Sequence, residues 1–290
     1  MKLSGRAAVT YSVDTSLLVS LKQILPAVNT AGCCFSPVAG LSGESWHIRA
    51  PQGEYLARRQ TREMAEMGVS RRRELRMLRT RHPGGVGPRP RGLHQNWLLL
   101  EWIAGSPLPE AACRPEGPLV PLLVRLHSQP RGGSPLALKV TLARYRHQID
   151  RARLTPRWQR FHQALLRSPL PPVVKIAPLH MDIHAGNIIT TGDGWRLIDW
   201  EYAADGDIAC ELAALVRGNH WSPRQQATLV AAYCAAGGYG DAARLQAAVQ
   251  QWLPWIDYLM LMWYEVRWQQ TGTHSFRAAA DGLHARLQSR

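Results

Sequence analysis

A chain of 290 residues with 46% hydrophobic side chains is globular, and long enough for one large domain or two modest lobes. Its 35 lysines and arginines against 21 aspartates and glutamates leave a formal charge of +14, which suits an anionic partner, whether a nucleic-acid backbone or a small polyanion such as a nucleotide. The five cysteines are odd in number and lack Cys-x-x-Cys spacing, which argues against a disulfide framework or a zinc site and fits a reducing cytoplasm.

From the N-terminus, Met1 to Val28 mixes Lys2, Arg6, Asp14 and Lys22 into its apolar residues, so no export leader is expected. Residues 15–28 read as an amphipathic helix, with Leu17, Leu18, Leu21 and Leu25 on one face and Asp14 or Thr15 as its cap. Ser45 to Arg49 and Glu54 to Arg59 flank the turn signal Pro51-Gln52-Gly53, which predicts a hairpin. Arg71 to Thr80 has helical spacing, with Leu75, Met77 and Leu78 set among arginines. Eleven arginines lie between Arg58 and Arg91 against only Glu63, Glu66 and Glu74; this stretch is either a solvated face or a basic surface for an anion. "HPGGVGPRPRG", 82–92, breaks the pattern.

Trp97 to Ile103 reads as a buried strand, bounded by the "GSPLP" punctuation at Gly105 to Pro109. Beyond it helices dominate: Leu119–His127, Tyr145–Leu154, Arg157–Leu166, Ile208–Arg217, Arg224–Ala235 and Ala242 onward. The longest apolar run, Trp252 to Val266, is interrupted by Pro254, Asp257 and Glu265 and falls short of the roughly 20 residues a membrane helix needs. The expected fold is therefore α+β, with a small strand-rich lobe over residues 1–101 and a larger, mainly helical lobe over 102–290.

The densest chemistry is "LHMDIHAGNI", Leu179 to Ile188, followed by a hairpin by composition: "NIIT", the turn "TGDG", then "WRLID" to Asp199. Closing a hairpin centred near Asp193 places Asn187 beside Asp199, close to Asp182 in the preceding loop. Amide and carboxylate oxygens with positions left for phosphate suit Mg²⁺. A separate Asp five residues before the Asn can then accept a proton from a hydroxyl, the order found in kinase catalytic loops. The alternative is a transition-metal site on His180, Asp182 and His184, since alternate residues of an extended segment face one way.

These residues resemble the aminoglycoside phosphotransferase and choline kinase superfamily, which shares its two-lobed fold with protein kinases. The resemblance rests on "LHMDIHAGNI", "LIDWEYA" at 197–203 and "GDIACELA" at 206–213. Within the superfamily, "GLSGESW" at 40–46 and the tryptophan-rich 252–272 are most similar to its bacterial thiamine-phosphorylating branch. The resemblance implies ATP and Mg²⁺ as cofactors and phosphorylation of the hydroxyethyl alcohol of thiamine. The alternatives are choline, an aminoglycoside or a homoserine-like alcohol as acceptor, or a basic nucleic-acid-binding protein.

Carried over, the resemblance makes Asp182 the catalytic base, with His180 bracing its loop, and Asn187 and Asp199 the metal ligands. Gly40, Ser42 and Gly43 would cover the ATP phosphates. Arg58 or Arg59 stands in place of the usual phosphate-pairing lysine; strand alternation lets one point inward, with Arg59 preferred, and Glu74 is a candidate partner. Glu101 joins these nucleotide-site candidates. For a cationic acceptor, Glu201, Asp205, Trp255, Trp263 and Trp268 are the candidate contacts, with Glu211 and Tyr264 nearby in sequence. The tryptophans also fit ordinary helix packing, and Asp207 fits a cap for the helix at Ile208. A cytoplasmic monomer with a small-molecule substrate, and with neither nucleic-acid nor membrane partners, is expected.

Overall fold

The computed structural model describes residues 13–38, 44–79 and 85–288. Helix α1, Thr15–Ile24, starts where the Asp14 carboxylate accepts the Ser16 N–H at 2.8 Å. It stops short of the expected Val28 because Pro26 disfavours a helical residue before it, and Leu25 has left helical geometry. Strand β1, Cys34–Pro37, precedes the hairpin of β2, Ser45–Ala50, and β3, Gly53–Arg59. The short α2, Arg62–Glu66, is capped by Thr61, and α3, Arg71–Arg79, follows. Strands β4, Pro90–His94, and β5, Trp97–Glu101, complete an antiparallel sheet in the order β1-β2-β3-β5-β4. β4 begins in the stretch read from sequence as a break. As the sheet's edge it tolerates Pro90, which cannot donate to a ladder, and it bulges between Pro90 and Gly92.

The two faces of this sheet go to different neighbours. Trp46, Ile48, Tyr55, Ala57, Trp97 and Leu99 share one face and pack beneath Leu17 and Leu21 of α1. Leu98 and Leu100 face the other way, into an apolar core that takes in Met77 and Leu78 of α3 and continues without a break to Leu122, Leu212 and Val266. Arg58 lies opposite Leu98 and Arg59 opposite Trp97, so the period of two sends these adjacent arginines to opposite faces.

The chain crosses to the helical part through Gly105, where an added Cβ would lie 2.3 Å from the Thr190 carbonyl oxygen. The two-residue β6, Ser106–Pro107, pairs there with β8. Then come α4, Leu119–His127, α5, Leu138–Gln148, and α6, Pro156–Arg167. The helix expected over Tyr145–Leu154 lies earlier than predicted. Ile149 is extended, and Asp150 caps a separate one-turn helix at Arg151–Arg153. β7, Ile176–Leu179, pairs with β10, Ala204–Asp207, around the hairpin of β8, Ile188–Thr191, and β9, Gly194–Leu197. Helices α7, Ile208–Gly218, α8, Pro223–Ala235, α9, Ala242–Thr271, and α10, His274–Gln288, close the fold. Asp207 caps α7, accepting the Ala209 N–H at 3.3 Å. Among the described residues no helix is long and apolar enough to cross a membrane.

Candidate active site

A cleft of about 990 Å³ separates the inner face of the sheet from the loops around β7–β9 and from one side of α9. Val38, Leu56, Leu100, Trp102 and Ile103 form an apolar wall at one end. Asp182, Asn187, Ile198 and Asp199 line its floor, and Tyr202, Met260, Trp263, Tyr264 and Arg267 line the other end.

The loop that carries Asp182 is fixed from below by a buried carboxylate. Glu211, from the first turn of α7, accepts the backbone N–H groups of His180 and Met181 at 2.5 and 2.8 Å. Met181 is held in the left-handed region, φ 68°, immediately before Asp182. Such a residue costs about 1–3 kcal/mol, and the Glu211 hydrogen bonds offset it. The fully buried His180 ring is hydrogen-bonded to the Ile198 carbonyl at 2.8 Å and meets Trp200 edge-on, so it ties the loop to the hairpin and lies away from the cleft. His184, which the sequence left open as a metal ligand, accepts the Gly186 N–H at 3.1 Å and caps the one-turn helix Ala185–Asn187. No group of three or more His, Cys, Asp or Glu side chains fit to hold a metal exists among the described residues, which removes the His180–Asp182–His184 alternative.

Asn187 donates from its amide nitrogen to both the backbone oxygen and the Oδ2 of Asp182, each at 2.9 Å. The hairpin's two-residue turn, Gly192-Asp193, sets the register one step from that expected. Asn187 lies opposite Ile198, whose N–H it accepts at 2.9 Å, and Asp199 follows with φ 63°. Burial raises the Asp182 carboxyl above its usual range; His184 and His180 oppose this and the Asp199 charge adds to it.

Arg58 spans the cleft. It donates to Glu74 at 2.6 Å, to Asp199 Oδ1 at 2.5 Å and to Glu201 at 3.0 Å, with only 5% of its side chain exposed. The preference for Arg59 as the inward arginine is thereby corrected. Arg59 shares the α1 face with Trp97 and pairs with Asp14 and Glu44 at 3.0 and 2.9 Å, half-exposed. A second buried guanidinium, Arg71, reaches Glu74 at 2.6 Å and Glu201 at 3.4 Å. The arginine-rich stretch is therefore not one solvated face. Burial alone raises Asp199's carboxyl, but the Arg58 charge and hydrogen bond outweigh it and hold the group below the usual carboxylate range. Burial, with the Asp199 charge, pushes Glu201 up to about 7 against the pull of Arg58 and Arg71.

The oxygens suited to a metal ion are Asn187 Oδ1 and Asp199 Oδ2. No described residue donates a hydrogen bond to either, while the other atoms of both groups are engaged by Asp182 and Arg58. One carboxylate and one amide oxygen beside a cleft open to phosphate oxygens fit the donor set of Mg²⁺.

The remaining candidates divide. Glu101 lines the cleft and pairs with Arg91. Glu201 lines it too, but is engaged by Arg58 and Arg71. Trp263 lines it and donates its indole N–H to the Tyr202 hydroxyl at 2.9 Å. Asp205 does not reach the cleft; it accepts the N–H groups of Gly132 and Ser134 at 2.9 and 3.0 Å and pins that loop. Trp255 is buried in the core near Lys139, and Trp268 is covered by Arg153 and Arg277. At about 100° per residue, Trp255 sits roughly a third of a turn and Trp268 roughly a quarter of a turn, on opposite sides, from the centre of the α9 face formed by Met260, Trp263, Tyr264 and Arg267. Gly40, Ser42 and Gly43 lie outside the described residues. Sequence reasoning passed over Arg71, Tyr202 and Arg267, and placed Glu211 with the acceptor rather than under the loop. The spacing of Arg71 and Glu74, three apart on a helix, was the one available signal for the first.

A two-lobed fold with Asp182, Asn187 and Asp199 on one cleft floor beneath a buried arginine–glutamate pair defines a kinase-like phosphotransferase, and the model of the Phosphotransferase enzyme family matches residues 35–248. The chain belongs to that family. It is 41% identical over 211 residues to the thiamine kinases of Salmonella paratyphi B and Salmonella typhimurium, covering 71% of this chain and 73% of each relative. Its fold is similar to the choline kinase LicA from Streptococcus pneumoniae, with a TM-score of 0.69 at 16% identity over 91% of this chain and 96% of that one. LicA has also been solved in complex with AMP. A Plasmodium vivax ethanolamine kinase gives a TM-score of 0.73 at 15% identity, covering 97% and 91% of the two chains.

Proposed function

We propose that this phosphotransferase uses ATP to phosphorylate the hydroxyethyl alcohol of thiamine, giving thiamine phosphate and ADP. The observation that carries the reading is the convergence of Asp182, Asn187 and Asp199 on one cleft floor, with Arg58 above them. The activity named for the 41%-identical relatives supplies the acceptor.

In this reading residues 1–101 form the nucleotide-binding lobe and 102–290 the catalytic and acceptor-binding lobe. The apolar wall takes the base of the nucleotide, with Glu101 at its edge. Arg58, steadied by Glu74, supplies the guanidinium that faces the phosphates. Asn187 and Asp199 hold Mg²⁺, which when bound neutralises charge on the transferring phosphoryl group. Asp182 accepts the hydrogen bond of the acceptor hydroxyl and orients its oxygen towards the γ-phosphorus. It takes the proton as the new P–O bond forms and the bond to ADP breaks. Asn187 keeps the Asp182 carboxylate in position through its paired hydrogen bonds.

An ADP-release screen over thiamine, choline, an aminoglycoside and homoserine tests the proposal. Magnesium-dependent ADP formation stimulated by thiamine is expected; stimulation by another of these alcohols and not by thiamine overturns the acceptor assignment.

A further inference from the structure

Resting on that reading, we propose that Arg267 is a specificity-determining residue: it donates to the ring nitrogens of the acceptor's neutral aminopyrimidine, and so selects a two-ring alcohol over a small quaternary ammonium alcohol. Thiamine joins two chemically distinct rings. Its thiazolium is cationic and bears the hydroxyethyl arm, whereas the aminopyrimidine beyond the methylene bridge is neutral and presents lone pairs.

The acceptor end of the cleft is poorly made for a cation alone. Glu201, the carboxylate next to the catalytic floor, is engaged by Arg58 and Arg71. The Trp263 ring carries the Arg267 guanidinium at 5.9 Å, and its N–H is used by Tyr202. A quaternary ammonium placed on that ring would compete with a like charge already there. Arg73 and Arg144 line the same cleft and add to the positive field.

The guanidinium is also held in place. It lies over Phe276 of α10 at 5.7 Å and donates Nη1 to Gln270 Oε1 at 3.2 Å, so α9 and α10 both position it. Arg offers donors and no acceptor, which matches a ring edge of lone pairs. Arg267 follows Tyr264 by three residues of α9, about 4.5 Å along the axis. With the hydroxyl at Asp182, the thiazolium stays near the carboxylates of the floor, and the neutral ring is the part free to extend to Arg267. The separation of charge along the cleft thus matches its separation along the acceptor.

The test compares two alcohols in one protein: thiamine, and 3,4-dimethyl-5-(2-hydroxyethyl)thiazolium, which keeps the cation and the alcohol but lacks the pyrimidine. Arg267→Met, which preserves an apolar stem against Trp263, is expected to raise KM for thiamine at least about tenfold, the loss of one or two hydrogen bonds to a charged donor, with kcat within about twofold. KM for the truncated alcohol and for choline, neither of which has a second ring to reach Arg267, should stay within about twofold. Arg267→Lys should fall between wild type and Arg267→Met in the ratio of the two KM values. A fold defect lowers activity with both alcohols and leaves that ratio alone. Equal KM changes for the two alcohols, or none for either, overturn the role of Arg267. Failure of the wild-type protein to use thiamine while it uses another alcohol overturns the thiamine reading, and the role of Arg267 with it.

Discussion

The two ends of one cleft are built in opposite ways. At the end that carries Asp182 and Asp199 the described carboxylates are tied down: Asp182 by Asn187, Asp199 by Arg58, Glu74 and Glu201 by two buried arginines, and the loop backbone is held by Glu211. Left-handed Met181 and Asp199 persist there because those bonds over-determine them. At the opposite end, aromatic rings and arginines from α3, α5 and α9 meet, and their described hydrogen bonds run to a hydroxyl, a side-chain amide and backbone carbonyls. Chemistry common to a family needs fixed geometry, whereas the choice of acceptor needs a surface whose residues can change one at a time. The difference predicts that substitutions at the first end act on turnover or stability, and those at the second on acceptor KM.

The largest effect is expected for Arg58→Met. It leaves Glu74, Asp199 and Glu201 without their shared guanidinium, and breaking a buried pair in this way costs about 3–5 kcal/mol, to be read from denaturant unfolding. Arg59→Met, on the other face of the same strand, should lose less than about 1 kcal/mol in the same experiment, because its pairs are half-exposed. Asp182→Asn should reduce turnover at least about a hundredfold in a coupled ADP assay with little change in ATP KM. Asp205→Asn separates stability from acceptor binding: it should cost about 1.5–3 kcal/mol through its bonds to Gly132 and Ser134 while leaving acceptor KM unchanged. Asn187→Ala should raise the Mg²⁺ concentration for half-maximal turnover at least about tenfold, read from a magnesium titration.

The same contrast explains what could be read in the sequence. The end proposed as catalytic is encoded by residues close in the chain, 182, 187 and 199, whose spacing carries the geometry through one hairpin. The error of one step in that hairpin came from assuming a centre at Asp193, where a two-residue turn places it between Gly192 and Asp193. Arg58 and Arg59 could not be separated from spacing alone, since alternation says that they differ and not which faces inward; the packing of α1 on the Trp97 face decided it. Strand β4 was hidden because Pro and Gly mark an edge strand and a loop alike. The end proposed for the acceptor draws on residues 73, 144, 202, 263 and 267, so no local pattern announces it. Composition drew attention to Asp205, Trp255 and Trp268, whereas helical phase and backbone hydrogen bonds assign them to packing and loop support.

The most direct measurement follows the phosphoryl group itself, by phosphorus NMR of reactions containing ATP, Mg²⁺ and thiamine. Thiamine phosphate and ADP in equal amounts from the wild-type protein, with the ester absent from Asp182→Asn over the same period, is the expected result. ADP formed without the ester, or ester formed undiminished by Asp182→Asn, contradicts the assignment of this cleft as an alcohol kinase site with Asp182 as its base.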